Sequence, residues 1–155
     1  VVTDKVSVAN LGVLQNSMFS NIVCSQFRFD ENQLNTTYAF ENNQFININI
    51  TTGAFTVTGN ANVFENIRSV NAGSIAVTGE SNSLENIYSE DCNSNGIVLY
   101  GDNNTLVKSH IKNPANRPVW IRGGNNNLVV FSAYKSIYAI LDNGTNSNIA
   151  NNYIY

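Results

Sequence analysis

Two segments twenty residues apart carry one pattern: Gly59-Asn60-Ala61-Asn62-Val63-Phe64-Glu65-Asn66-Ile67 and Gly79-Glu80-Ser81-Asn82-Ser83-Leu84-Glu85-Asn86-Ile87. Weaker copies begin at Gly101, Gly123 and Gly144, and Phe19-Ser20-Asn21-Ile22 and Phe40-Glu41-Asn42-Asn43 match the second half. A fixed period of this size marks a repeat architecture, in which each unit buries its apolar face only against its neighbours. Aligning the copies puts the apolar residue of the motif at 19, 40, 64, 84, 106, 128 and 149, in steps of 21, 24, 20, 22, 22 and 21. The sequence therefore predicts seven coils, with the extra residues of the longest step between Asn47 and Gly53 and a longer loop at residues 30–35.

Within each coil the signals are those of strands and corners. The residues four and two before the glycine are apolar, as in Phe55/Val57, Ile75/Val77, Ile97/Leu99 and Val119/Ile121. Side chains alternate across a strand, so these pairs point inward. Gly-x-x-Asn makes the corner: glycine accepts positive φ, and asparagine bonds nearby backbone and tolerates the left-handed region. A second strand carries the inward Phe, Leu or Ile. A third begins at Ile67, Ile87 and Phe131, and its next inward place holds Cys24, Phe45, Ser69, Ser89, Ile111, Ala133 and Ile154. No helical period is present.

Three short strands per coil of 20–24 residues predict an all-β fold, a parallel β-helix over residues 16–155, with an entry strand or half coil over residues 1–15. On these residues the chain resembles the right-handed parallel β-helix proteins of the pectate-lyase-like group, closest in character to phage tailspikes and microbial surface modules. The resemblance covers nearly the whole chain and implies a right-handed solenoid with an asparagine ladder at one corner, formed by Asn21, Asn42, Asn66, Asn86 and Asn151. The group contains polysaccharide lyases and hydrolases as well as inert shafts. Its lyases use a calcium-binding Asp cluster facing a basic residue. Here Asp30, Asp91, Asp102 and Asp142 fall in different columns or at turns, which departs from that pattern.

Composition excludes several classes of function. Charged residues are only 12% of the chain and the net charge is −3, so no basic stripe exists for duplex nucleic acid. No apolar run has the length of a membrane span. One His and two Cys, without ligand spacing, give no zinc site, and no metal or cofactor is expected. Cys24 and Cys92 stand three coils apart, roughly 14 Å at the rung spacing, too far for a disulfide. Four Asn-x-Ser/Thr sequons, at Asn35, Asn49, Asn103 and Asn143, fit an extracellular or virion-surface setting.

Neighbouring rungs lie about 4.8 Å apart, so equivalent positions stack into columns. Glu41, Glu65 and Glu85 form an outward carboxylate column. Paired acids on such rungs have the spacing of a glycosidase pair, which makes these three the catalytic candidates; the alternative is a solvated face, partly neutralised by Arg68 and Lys108. Further along, the column becomes Val107, Val129 and Ala150, and with Val130 and Tyr134 it predicts an apolar strip of the kind that marks an interface. A second surface places Tyr100 and Arg122 in one column, with Asp142 next in line. Trp120 shares another column with Thr56, Ala76, Val98 and Ile140. These residue types serve either glycan contact or a subunit contact. A third column joins Arg68, Tyr88 and His110, with Glu90 and Lys112 two residues further along. The expected function is rigid display and contact with surface polysaccharide by a tailspike-like or adhesin-like module. The alternatives are a polysaccharide-degrading hydrolase or lyase using the outward carboxylates, and a purely structural shaft element. The resemblance favours a homotrimer.

Overall fold

A computed structural model describes residues 2–8, 14–29, 40–125, 127–130, 132–136 and 140–155. They form a parallel β-solenoid with no helix among the described residues. Among the described residues seventeen strands make one continuous hydrogen-bonded system, and Leu14–Gln15 pairs with Phe40–Glu41 beside it. All pairings are parallel and join each strand to its counterpart one coil away, so every rung rests on the last. The coils make about six turns where seven were expected.

Each coil presents three faces. The first carries Ser83–Glu85, Thr105–Val107, Leu128–Val130 and Asn148–Ala150. The second carries Tyr88–Glu90, His110–Lys112, Ala133–Lys135 and Tyr153–Ile154. The third carries Phe55–Thr58, Ile75–Thr78, Ile97–Tyr100, Val119–Ile121 and Leu141–Asp142. In the early coils Met18–Phe29, Gln44–Ile50 and Val63–Val70 run through the corners without a break, and Val2–Val8 lies on Met18–Phe29 as the outermost rung.

The core is a set of stacked inward columns. Phe55, Ile75, Ile97 and Val119 stack in one, and Val57, Val77, Leu99 and Ile121 in another, all buried as their alternation predicts. On the first face the column runs Phe19, Phe45, Phe64, Leu84, Leu106, Val129, Ile149. Its aromatic end is stacked face to face, with Phe45 4.9 Å from Phe64 and 5.1 Å from Phe19. Ring stacking at rung spacing adds to what the buried area contributes.

Two members of this column differ from the sequence expectation. Phe40 was assigned to it, but Phe40 stands where the later coils have glycine: the carbonyl of Phe40 lies 2.0 Å from where a Cβ on Gly59 would sit. Phe45 takes the inward place on this face. Ile50, not Phe45, follows Cys24 in the inward column of the second face. The long step therefore falls before residue 40 and not between Asn47 and Gly53, while the expected loop at residues 30–35 and Asn35 lie outside the described residues. The other displaced member is Leu128, which is replaced by Val129 because Gly124, not Gly123, occupies the corner. A Cβ on Gly124 would lie 2.0 Å from the Gly101 carbonyl oxygen, as one on Gly79 would from Gly59 and one on Gly101, at 2.2 Å, from Gly79. The rungs approach too closely there for any side chain that carries a Cβ. Gly123 is one extra residue, and it moves the residues after it by one place as far as the next corner, beyond which Ile149 stands where expected.

Asparagine fixes the corners twice over. Residues at the outer corners have φ near +50 to +58°: Asn16, Asn42, Ala61, Ser81, Asn103 and Asn146 at one, and Asn21, Asn47, Asn66, Asn86, Lys108 and Asn151 at the next. Asn tolerates this region better than other residues with a Cβ. The expected ladder exists at the second of these corners, but its second rung is Asn47 and not Asn42. Asn47 donates to Asn21 at 3.1 Å, Asn66 to Asn47 at 3.0 Å and Asn86 to Asn66 at 2.6 Å. Lys108 stands at this corner after Asn86, and residue 131 lies outside the described residues.

The motif asparagine itself, in Gly-x-x-Asn, turns inward and builds a second, buried ladder of Asn43, Asn62, Asn82, Asn104 and Asn127. Each Oδ1 accepts the backbone N–H of its counterpart one rung back, at 2.9–3.0 Å. Asn82 Nδ2 donates to the Gly59 carbonyl and Asn104 Nδ2 to the Gly79 carbonyl, both at 2.9 Å. Buried polar groups are stable only when paired, and this ladder pairs them. The same device recurs in shorter form at the next corner, where Ser109, Ser132 and Asn152 accept the backbone N–H groups of Ile87, Ser109 and Ser132.

A pair of adjacent substitutions tests which side is inside. Leu84 is fully buried, so Leu84→Ala is expected to cost about 2–5 kcal/mol in a denaturant melt. Glu85→Ala, on the outward side, is expected to stay within about 0.5 kcal/mol. The opposite ranking would invert the inside and outside of every column.

Candidate functional site

The third face carries the arrangement best suited to hold a ligand. Its outward columns are Thr56, Ala76, Val98, Trp120, Leu141 and Thr58, Thr78, Tyr100, Arg122. Ile140 was expected beside Trp120, but it packs against the core, and Leu141 takes the outward place. Asp142 pairs with Ile121, which leaves Asn143 next to Arg122. Small side chains on the early rungs and large ones on the later rungs leave a groove of about 480 Å³, lined by Ala76, Thr78, Val98, Tyr100 and Arg122.

The large side chains are held in defined positions. The Trp120 indole N–H donates to Asn143 Oδ1 at 2.9 Å, and the Arg122 guanidinium lies over the indole, 4.7 Å from its ring centre. Stacking of this kind orients the guanidinium while leaving its N–H fork free to donate. Arg122 is exposed, and no carboxylate pairs with it among the described residues. Tyr100 is 51% exposed at the end of its strand, so an aromatic surface is presented to solvent beside the groove.

The second face brings together the other expected column, and there Glu90 and Lys112 already satisfy each other. Arg68, Tyr88 and His110 stack in register, with Arg68 5.4 Å from the Tyr88 ring centre and Tyr88 parallel to His110 at 5.4 Å. The Tyr88 hydroxyl donates to Glu90 Oε2 at 2.6 Å, and Lys112 pairs with the other oxygen of Glu90. The hydrogen bond from Lys112, joined by that from Tyr88, holds the Glu90 carboxyl below the usual range. The same contacts raise Lys112 and Tyr88. A smaller depression of about 270 Å³ lies beside Arg68 and Tyr88.

The carboxylate column of the first face is shorter than expected. Glu65 and Glu85 are partners on adjacent rungs, but Ile46 precedes them in the column and Val107, Val130 and Ala150 follow. Glu41 lies at a corner, paired with Gln15 and bridged to Asn60, because Phe40 fills the glycine place. The two remaining carboxylates are engaged by side chains of the scaffold. Asn66 Nδ2 lies 3.4 Å from Glu65, and Lys108 Nζ lies 2.7 Å from Glu85.

The apolar strip is corrected by the same one-residue shift after Gly123. Val129 and Tyr134 are fully buried in inward columns and cannot form a surface, and burial pushes the Tyr134 phenol up to about 12. Val130 faces outward in the column of Val107 but is only 7% exposed. Cys24 and Cys92 are both buried and free. The inner asparagine ladder was the feature missed, although its signal, an asparagine three residues after the corner glycine, is present in coil after coil.

Comparison with protein-family models found no matching family, and comparisons with curated proteins and with solved structures likewise found no match.

Proposed function

We propose that this chain is a rigid β-helix module of the tailspike or adhesin kind, working outside the cell or on a virion, that binds surface polysaccharide along its third face. The observation that carries this reading is the groove beside Tyr100 and Arg122. An exposed aromatic ring offers a stacking surface to the apolar side of a sugar. Arg122, oriented by Trp120 and without a carboxylate partner among the described residues, supplies a planar donor fork for hydroxyls or carboxylates. Thr78, Ala76 and Val98 form a low floor on which an extended chain can lie across several rungs. A solenoid held by continuous ladders keeps these groups in place before binding, which reduces the ordering cost.

Binding to a panel of bacterial and plant surface polysaccharides tests the reading. At least one is expected to bind, and Tyr100→Ala should weaken that binding about tenfold, as loss of a stacking aromatic does. Arg122→Ala should weaken it comparably. Absence of binding across the panel, or wild-type affinity in both variants, would overturn the proposal. Release of reducing ends or unsaturated products, lost in Glu65→Gln or Glu85→Gln, would instead establish the carbohydrate-active enzyme.

A further inference from the structure

The last corner of the third face brings together the groups that convert an asparagine into a succinimide. Asn143 is followed by Gly144, so no side chain hinders attack of the Gly144 nitrogen on the side-chain carbonyl of Asn143. The Gly144 N–H donates not to a neighbouring rung but to the Asp142 carboxylate, at 2.8 Å. Asn143 Oδ1, the oxygen on which charge grows as the nitrogen attacks, accepts the Trp120 indole N–H at 2.9 Å. A base on the nucleophile and a donor on the developing oxyanion are the two aids that acyl transfer requires. Asp142 and Asn143 are both exposed, so water reaches the site. The same Asp142 oxygen also lies 3.4 Å from the Ser147 hydroxyl, which helps hold it in place.

The chain contains its own control. Asn95 also precedes a glycine, but it is 7% exposed, and its Oδ1 accepts the Arg117 N–H at 3.3 Å. Gly96 N–H donates to the Arg117 carbonyl at 2.9 Å, within the rung ladder, where no carboxylate receives its proton.

We infer that Asn143 is a site of self-modification, which the fold promotes, whereas Asn95 is protected. The Gly144 nitrogen bonds to Cγ of Asn143 and passes its proton to Asp142. The bond from Cγ to the amide nitrogen then breaks, and that proton leaves with the departing ammonia. Water opens the succinimide at either carbonyl, to aspartate or isoaspartate, and no oxidant or reductant is needed. The product is a carboxylate against Trp120 and next to Arg122, a guanidinium that has no carboxylate partner among the described residues. If the third face binds glycan as proposed, the modified protein binds more weakly to carboxylated sugars.

Peptide mapping by mass spectrometry, on folded protein held in mildly alkaline buffer, follows the amide-to-acid conversion at each asparagine. Asn143 is expected to convert on the order of a hundredfold faster than Asn95, the scale on which a positioned base acts. It should also convert faster in the folded protein than in the urea-unfolded chain, where the two sites should become similar. Asp142→Asn should slow Asn143 on the order of a hundredfold and Trp120→Phe several-fold, each variant being checked for a native circular dichroism spectrum. Conversion in the folded state no faster than in urea would overturn the inference. So would wild-type rates in whichever of the two variants folds. These readouts need no glycan, so the inference can fail or stand whatever the panel shows.

Discussion

Gly124→Ala is expected to destabilise the protein far more than Gly123→Ala, although the two glycines are neighbours and both have positive φ, +89° and +134°. The backbone strain of an added Cβ applies at both positions and costs on the order of 1–3 kcal/mol. What differs is space. At Gly124 the Cβ would meet the Gly101 carbonyl oxygen at 2.0 Å and its carbon at 2.4 Å, groups fixed by the rung below. At Gly123 the nearest neighbour is the Tyr100 ring at 3.5 Å, an ordinary contact. Overpacking against backbone adds about 1–3 kcal/mol or more, so Gly124→Ala should melt well below Gly123→Ala in a thermal scan. Equal melting temperatures would contradict this difference in space, and the reverse order would mean that Gly123 fills the corner and that the columns beyond it return to the register expected from the sequence.

The second large effect follows from that same corner. Val129→Lys places an ammonium in the stack between Leu106 and Ile149, where Val129 is fully buried and no carboxylate lies in the column. An unpaired buried charge costs several kcal/mol even after relaxation, about 5 kcal/mol or more, which is comparable to the whole stability of a small domain. The variant is therefore expected to unfold or to lose its cooperative transition. Val107→Lys, next to Lys108, in register with Glu85 on the adjacent rung and partly exposed, should fold normally. Had Val129 faced outward, Val129→Lys would leave the fold intact. A native circular dichroism spectrum and an unchanged melt for Val129→Lys would contradict the inward placement.

These two cases show where the sequence was legible. The solenoid could be read because every coil repeats the same alternation, and Phe55/Val57 through Val119/Ile121 fall inside as that alternation requires. Arg68, Tyr88 and His110 could be stacked correctly because the motif marks each coil and their steps of 20 and 22 residues differ by two, which leaves inside and outside unchanged. Misplacement began wherever one residue was added or the motif had a double. Phe40-Glu41-Asn42-Asn43 imitates Phe64-Glu65-Asn66-Ile67, yet Phe40 fills the glycine place and Phe45 the inward one. Because side chains alternate with a period of two, the single extra residue at Gly123 exchanged inside for outside, and so placed Val129 and Tyr134 on a surface they do not reach. The site could be read in part for a related reason. Tyr100, Trp120 and Arg122 all precede that insertion, so their columns were right. The pairing of Trp120 with Asn143 lies across it and could not be seen. The stacking of Arg122 on the indole depends on rotamers that sequence spacing does not specify.

The placement of the ligand surface can be tested directly by nuclear magnetic resonance on isotopically labelled protein, titrated with an oligosaccharide from whichever polysaccharide binds. Backbone shifts are predicted to concentrate at Thr78, Val98, Tyr100 and Arg122, successive rungs of the third face, with the Trp120 indole N–H moving with them. Shifts gathered instead around Arg68, Tyr88 and His110, or around Glu65 and Glu85, would place the ligand on another face and contradict the proposed site.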